Sequence, residues 1–128
     1  MSMRRGIATE QAPAAVGPYA QAVAMGGLLF VSGQLGMDPA TGELAGPDVS
    51  AEARQALANL KAVLSAAGVG PEAVAKCTIY LTDMGDFAAV NAVYAECFAA
   101  PFPARACVAV KALPKGGRVE IEAVAVLG

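Results

Sequence analysis

The chain has 128 residues, the size of one ordinary domain able to bury its own apolar core. Apolar residues make up 56%, much of it alanine, while charged residues make up only 16% against roughly 25% in a typical soluble domain; disorder is excluded, and some surface is expected to be hidden in an oligomer. Net charge is −2 and there is no block of Lys or Arg after Arg4-Arg5, which argues against a dedicated nucleic-acid binder.

The whole chain, 1–128, reads as a single domain, with no linker, repeat or low-complexity tract. Met3–Ala8 is a weak first strand, and Gln11–Pro18 carries two prolines and is a loop. Ala20–Met25 and Leu28–Ser32 form a hairpin around the tight turn Gly26-Gly27. Gly36–Pro47 is a loop.

A first helix is predicted from about Ser50 to Ala67, where Ala53, Leu57, Leu60, Leu64 and Ala67 recur at helical spacing and Gly68 supplies the stop. Val74–Leu81 alternates as a strand, with Ala75, Cys77, Ile79 and Leu81 on one face and Lys76, Thr78 and Tyr80 on the other. A second helix runs from about Phe87 to Ala99, capped by Asp86 and stopped by Pro101 and Pro103. Two strands close the chain. Ala104–Val110 places Arg105, Cys107 and Ala109 on one face. Arg118–Val126 places Arg118, Glu120 and Glu122 opposite Val119, Ile121, Ala123 and Ala125.

The expected architecture is α+β: a mixed sheet of about six strands with both helices on one face. The uncovered face is expected to carry Lys76, Thr78, Tyr80, Arg105, Cys107, Arg118, Glu120 and Glu122. With so little charge in the chain, that face is expected to pack on another subunit, with Arg105 and Glu120 lining a cleft between subunits.

Histidine is absent, which removes Ser–His and Cys–His dyads and most zinc sites. No metal or cofactor is expected. The three cysteines, Cys77, Cys97 and Cys107, show no CxxC spacing; they predict a reducing, cytoplasmic setting rather than a disulfide framework. No stretch of about 18 apolar residues is present, so no membrane span is expected. The N-terminus lacks the apolar core of a signal peptide, and Met1-Ser2 carries no weight.

Arg105 interrupts an apolar strand, PARACVAV. It is either paired with Glu120 or Glu122 in a structural salt bridge or held as a fork for a substrate carboxylate. Glu120 in RVEIEAVAV is either a solvated or ion-paired strand carboxylate or a general acid/base, the role histidine cannot fill here. Cys107 shares a face with Arg105; it reads as a small lining residue rather than a nucleophile, because no base is evident beside it. Asn91 lies on the helix stripe 87–91–94–98, and it is either capped by backbone or points into a site. Tyr19 in GPYAQA is a core or interface aromatic at the start of a strand. Ser32-Gly33-Gln34 allows close backbone approach. The Lys115–Gly117 segment is a turn, since no phosphate-loop pattern surrounds it.

Taken together, APAAVGPYAQAV (12–23), LLFVSGQLGMDPATGEL (28–44), ANLKAVLSAAG (58–68), TIYLTDMGDFAAVNAVYAECF (78–98) and above all PARACVAVKALPKGGRVEIEAVA (103–125) resemble the RidA family, also called YjgF or the perchloric-acid-soluble protein family. The resemblance implies a chorismate-mutase-like subunit in a homotrimer with clefts between subunits. It implies cofactor-free hydrolysis of reactive 2-imino acids, and of their enamine tautomers, to 2-keto acids and ammonia. Such intermediates leak from pyridoxal-phosphate dehydratases acting on serine or threonine.

Arg105 then matches the clamp for the substrate carboxylate, and Glu120 the residue that orients water. Cys107 lines the imine end, and Tyr19, Ser32, Gly33 and Asn91 match further pocket positions. The chain departs from the family at Ala20, where Ser is common, and at Gly117-Arg118, which replaces a more apolar pair. Arg118 is expected to perturb Glu120. Two other functions stand beside this one: a module that binds a small carboxylate such as a 2-keto acid without turnover, and an endoribonuclease, against which the absence of histidine and of a basic patch argue.

Overall fold

The structure, a computed structural model, describes residues 3–128; Met1 and Ser2 lie outside the described residues. Its elements follow the expected order: β1 (Arg5–Ile7), β2 (Ala22–Met25), β3 (Leu28–Leu35), α1 (Val49–Ala66), β4 (Val74–Leu81), α2 (Phe87–Cys97), β5 (Ala104–Ala109) and β6 (Val119–Val126). The six strands form one sheet in the order β1-β2-β3-β6-β4-β5. Every neighbouring pair is antiparallel except β4–β5, the two strands joined through α2.

The β2–β3 turn needs positive φ at two consecutive positions, and Gly26 (φ 61°) and Gly27 (φ 78°) supply it without a Cβ penalty. α1 forms where the sequence spaces its apolar residues for one face: Ala53, Ala56, Leu57, Leu60, Val63 and Leu64 are all buried. Asp48 caps its first turn by accepting from the Ala51 N–H at 2.9 Å. Past its end, Gly68 adopts φ 85°, and Val69 N–H returns to the Leu64 carbonyl at 3.0 Å.

α2 begins where expected but is not capped as expected. The Asp86 side chain makes no capping hydrogen bond, and Asp83 instead accepts from Gly85 N–H in the preceding turn. The helix ends at Cys97, two residues short of the expected Ala99. It buries Val90, Val93 and Tyr94.

Both helices contribute to one core with Leu29 and Val31 of β3, Cys77, Ile79 and Leu81 of β4, and Val119, Ile121, Ala123 and Ala125 of β6. α1 packs on β3, β6 and α2. Among the described residues no element lies over the second face of the sheet, and Leu28, Phe30 and Val126 stand exposed there.

Three strand details depart from expectation. β2 begins at Ala22, so Tyr19 precedes the strand. β4 carries an irregularity between Val74 and Lys76, so Val74 and Cys77 are buried while Ala75 and Lys76 are both exposed. Most consequentially, β5 runs with the opposite face assignment. Arg105 pairs with Cys77 and Cys107 with Ile79, both core-facing, so Arg105 and Cys107 stand on the helix side of the sheet and not on its open face.

Because the apolar face of α1 carries the core, Leu60→Ala is expected to cost about 2–5 kcal/mol, whereas removing the cap in Asp48→Ala is expected to cost about 1 kcal/mol. Urea unfolding of both variants checks the order. Equal losses would show that α1 is not the principal cover of the sheet.

Candidate functional site

Two concavities hold the sequence-predicted residues other than Cys107, and they share no lining residue. The larger, about 710 Å³, is lined by Tyr19, Ser32, Gly33, Lys115 and Glu120, with apolar walls that include Leu35 and Met37. The smaller, about 400 Å³, is lined by Asn91, Tyr94, Phe102, Pro103 and Arg105.

The larger cavity is built around a bulge in β3. Val31 pairs with Ala123 and Gln34 with Ile121, so Ser32 and Gly33 together oppose Glu122 alone. The extra residue brings both to the open face beside Glu120. Ser32 Oγ donates to the Ala20 carbonyl at 2.6 Å, and Ser32 N–H donates to the Gln21 carbonyl at 3.0 Å. Gly33 leaves room for the Glu120 carboxylate: a Cβ there would lie 2.7 Å from Glu120 Cδ and would displace the end of that side chain.

Glu120 sits on β6 between Leu35 of β3 and Tyr80 of β4, and it is half-buried. Burial, and secondarily the neighbouring Glu122 charge, push its carboxyl above the ordinary range. The Tyr80 hydroxyl donates to Glu122 Oε1, and that hydrogen bond raises the tyrosine's pKa. Tyr19, 54% exposed, forms part of the rim rather than the core.

The smaller concavity lies on the α2 side. Arg105 Nη1 donates to Asn91 Oδ1 at 2.7 Å, and its Cζ lies 4.8 Å from the Tyr94 ring centroid and 5.5 Å from that of Phe87. The structural salt bridge to Glu120 or Glu122 is not formed; both carboxylates lie on the other face of the sheet. Arg105 stays exposed with most of its five N–H donors uncommitted, so it is oriented but still open to a carboxylate. Asn91 is neither capped nor idle, since its carbonyl oxygen holds the guanidinium.

Cys107, two residues along β5 from Arg105, is half-buried and lines neither concavity. Burial pushes its thiol up, and Arg105 only partly opposes that. Cys77 and Cys97 are raised by burial as well. The Tyr94 hydroxyl is buried beside Cys77 without a partner in hydrogen-bonding geometry, and burial keeps it neutral.

Arg118 does not reach Glu120. Its Nε lies 3.0 Å from Glu52 Oε2, its backbone N–H donates to Glu52 Oε1 at 2.9 Å, and Nη2 donates to the Pro47 carbonyl at 3.2 Å. The expectation fails because the residue precedes the strand, where strand parity no longer governs its side chain.

Sequence reasoning missed several buried polar residues. Gln21 donates to the Thr9, Ala12 and Pro13 carbonyls and accepts from Thr9 N–H, fixing the N-terminal loop that walls the larger cavity. Asn59 donates to the Leu35 and Met37 carbonyls at 3.1 and 2.9 Å. Lys115 also lines that cavity, from a left-handed backbone conformation (φ 61°). Its place between Pro114 and Gly116 signals the turn but not the cavity. Among the described residues, no cluster of three His, Cys, Asp or Glu could hold a metal ion, and no helix is long and apolar enough to cross a membrane.

Residues 9–127 match the family described as Endoribonuclease L-PSP, and the chain belongs to it. A goat (Capra hircus) protein named 2-iminobutanoate/2-iminopropanoate deaminase is 56% identical, covering 98% of this chain and 92% of its own. The crystal structure of RidA from the Antarctic bacterium Psychrobacter sp. superposes with a TM-score of 0.92 at 49% identity, over 96% of this chain and 99% of that one. E. coli TdcF, crystallised with bound serine, superposes with a TM-score of 0.89 at 44% identity, over 95% and 98%. The RidA/YjgF resemblance in the sequence is thus family membership.

With its thiol raised, Cys107 is expected to alkylate with iodoacetamide at a midpoint pH above that of a free thiol. Peptide mass spectrometry across pH reads this directly. A midpoint below the free-thiol value would mark an activated nucleophile instead.

Proposed function

We propose that the chain is an imine deaminase that hydrolyses reactive 2-imino acids and their enamine tautomers, 2-iminobutanoate and 2-iminopropanoate among them, to 2-keto acids and ammonia. The observation that carries this reading is the near-full-length identity to proteins bearing that activity in their names. The geometry supplies a consistent chemistry.

Arg105, aimed by Asn91 and backed by Tyr94, clamps the substrate carboxylate. Glu120 holds a water against C2 and takes its proton as the C–O bond forms and the C=N π electrons move to nitrogen. Returning that proton to nitrogen makes it a leaving group; as the C–N bond breaks, the hydroxyl gives its proton to the Glu120 carboxylate and its O–H electrons close the C=O, which leaves the 2-keto acid and ammonia, and the ammonia or solvent takes the proton from Glu120. An iminium carbon is already electrophilic, so positioning and one carboxylate suffice. Cys107, kept as a thiol, lines the imine end, and Tyr19, Ser32 and Gly33 shape the other wall.

Arg105 and Glu120 lie on opposite faces of one sheet, so a site using both draws on two copies of the chain. A contact between two different patches is head-to-tail, and it makes a ring where the rotation between neighbours closes. The uncovered sheet face, with Phe30 46% exposed, supports such packing. The proposed assembly is a homotrimer of chorismate-mutase-like subunits with sites between neighbours, and the proposed setting is the cytoplasm, where its free cysteines stay reduced.

The test couples a threonine or serine dehydratase, which generates the imine in situ, to trapping by semicarbazide. Wild type should suppress semicarbazone formation and Arg105→Ala should not, while remaining assembled by gel filtration. Loss of assembly in that variant would leave the clamp unsupported. No suppression by wild type, with calorimetric binding of a 2-keto acid, would make the chain a ligand-binding module. RNA cleavage with steep salt dependence would favour the nuclease reading.

Glu120→Gln should lower turnover about 10²-fold or more and change KM less. Because the carboxylate form is the one that takes the proton, turnover should fall on the acid side, with its midpoint above the ordinary Glu range. An acid limb at the ordinary value would remove Glu120 as the titrating base.

A further inference from the structure

Glu52 is the buried carboxylate that the chemistry above leaves unused. It is only 1% exposed, lies in the first turns of α1, and joins three segments. Its two oxygens take the Arg118 backbone N–H and Nε, at the residue immediately before β6. Its own backbone abuts the residue immediately after β3: a Cβ on Gly36 would lie 2.3 Å from the Glu52 carbonyl oxygen. Arg118 Nη2 extends the same pair to the Pro47 carbonyl, just ahead of the α1 cap.

The two walls of the larger cavity leave these anchor points within a few residues. Gly33 is three positions before Gly36, and Glu120 is two positions after Arg118. They pass so closely that a methyl group on Gly33 would collide with the Glu120 carboxyl. A shift of Gly33 would therefore press on the carboxylate end of Glu120, and the bulge at Ser32-Gly33 interrupts the ladder between the Val31–Ala123 and Gln34–Ile121 pairs. A buried carboxylate that takes both a guanidinium N–H and a backbone N–H is suited to holding that position, because Glu52, at 1% exposed, would be costly to leave unpaired, whereas the Arg118 side chain, at 46%, also meets water.

We propose that Glu52 and Arg118 are positioning residues for Glu120, a latch at the mouth of β3 and β6 that sets where the carboxylate sits relative to the Ser32-Gly33 bulge. The latch acts on the water-placing half of the site only. Arg105, which holds the substrate carboxylate in the proposed function, stands in the other concavity and on the other sheet face. The inference rests on the reading of Glu120 as the group that orients water.

The separation gives the latch a kinetic signature distinct from a purely structural pair. Glu52→Gln preserves the shape and one acceptor oxygen but loses the charge; Arg118→Gln loses the fork; Arg118→Lys keeps the charge and restores part of the pairing. In the coupled imine assay with wild type alongside, Glu52→Gln and Arg118→Gln are expected to lower kcat about tenfold with KM changed by less than about twofold, and Arg118→Lys to recover part of the loss.

Circular dichroism at the assay temperature establishes that each variant is folded, and any one folded variant suffices to decide. A lowered Tm with unchanged kcat overturns the latch and leaves a structural ion pair. A raised KM with unchanged kcat overturns it too, since the pair would then serve binding. If wild type turns over and no folded variant differs, this inference alone falls. If wild type shows no turnover, the proposed function falls and takes the latch with it.

Discussion

Val119, Ile121, Ala123 and Ala125 all have to face the helices, and that requirement alone sends Glu120 and Glu122 to the other side of the sheet. β6 lies between β3 and β4, so its parity propagates outward through both ladders. On β4 it places Tyr80 beside Glu120 and Thr78 beside Glu122. On β3 the bulge breaks it, and the break is what admits both Ser32 and Gly33 to the carboxylate's side. Across the parallel pairing to β5 the same parity puts Arg105 level with buried Cys77. The two groups proposed to act on an imino acid, Arg105 and Glu120, are thereby held apart within one chain by the packing of its core.

The electrostatics follow from that placement. Glu120 is half-covered and adjoins another carboxylate, so its proton is held more tightly than in water. Among the described residues no cation forms an ion pair with it: Arg118 is engaged by Glu52, Arg105 by Asn91 on the far face, and Lys115, which lines the same cavity, makes no salt bridge to it. A base of raised pKa is better matched to proton transfer near neutral pH than an ordinary surface Glu. Arg105 has a complementary design. Aromatic rings and one amide orient it without neutralising its charge, and a guanidinium so held can meet a carboxylate edge-on.

Most of the fold was legible because long apolar periodicities leave little choice. Leu57, Leu60 and Leu64 can share a face only in a helix, and alternation in 119–126 only in a strand. The order of elements and both helices on one face of a mixed sheet follow from those patterns. The reading failed where a pattern was symmetric. In ARACVA both parities present small residues, Ala104, Ala106 and Val108 against Arg105, Cys107 and Ala109, and a polarity rule assigned arginine to the open face. Tertiary packing decided otherwise, since an edge strand beside α2 offers Arg105 two aromatic rings and an amide. Bulges were equally hidden: Ala75 and Ser32-Gly33 look like ordinary strand residues until a partner strand counts one residue fewer. Long-range polar pairs such as Glu52 with Arg118 span 66 positions, and no local spacing announces them.

The same parity bears on the chain's low charge. A lone subunit would leave Leu28, Phe30 and Val126 on a sheet face that none of its own helices covers, next to a carboxylate whose elevated pKa depends on being kept from water. Covering that face with another copy would bury the apolar residues and dry the Glu120 cavity further. It would also be the means of presenting an Arg105 to it. Stability and chemistry would then have one cause: the surface that is too apolar to leave exposed is the surface on which half of the site is missing. A monomeric form of this chain, if one were made by placing charges at Phe30 and Val126, should therefore lose turnover even with Arg105 and Glu120 both intact.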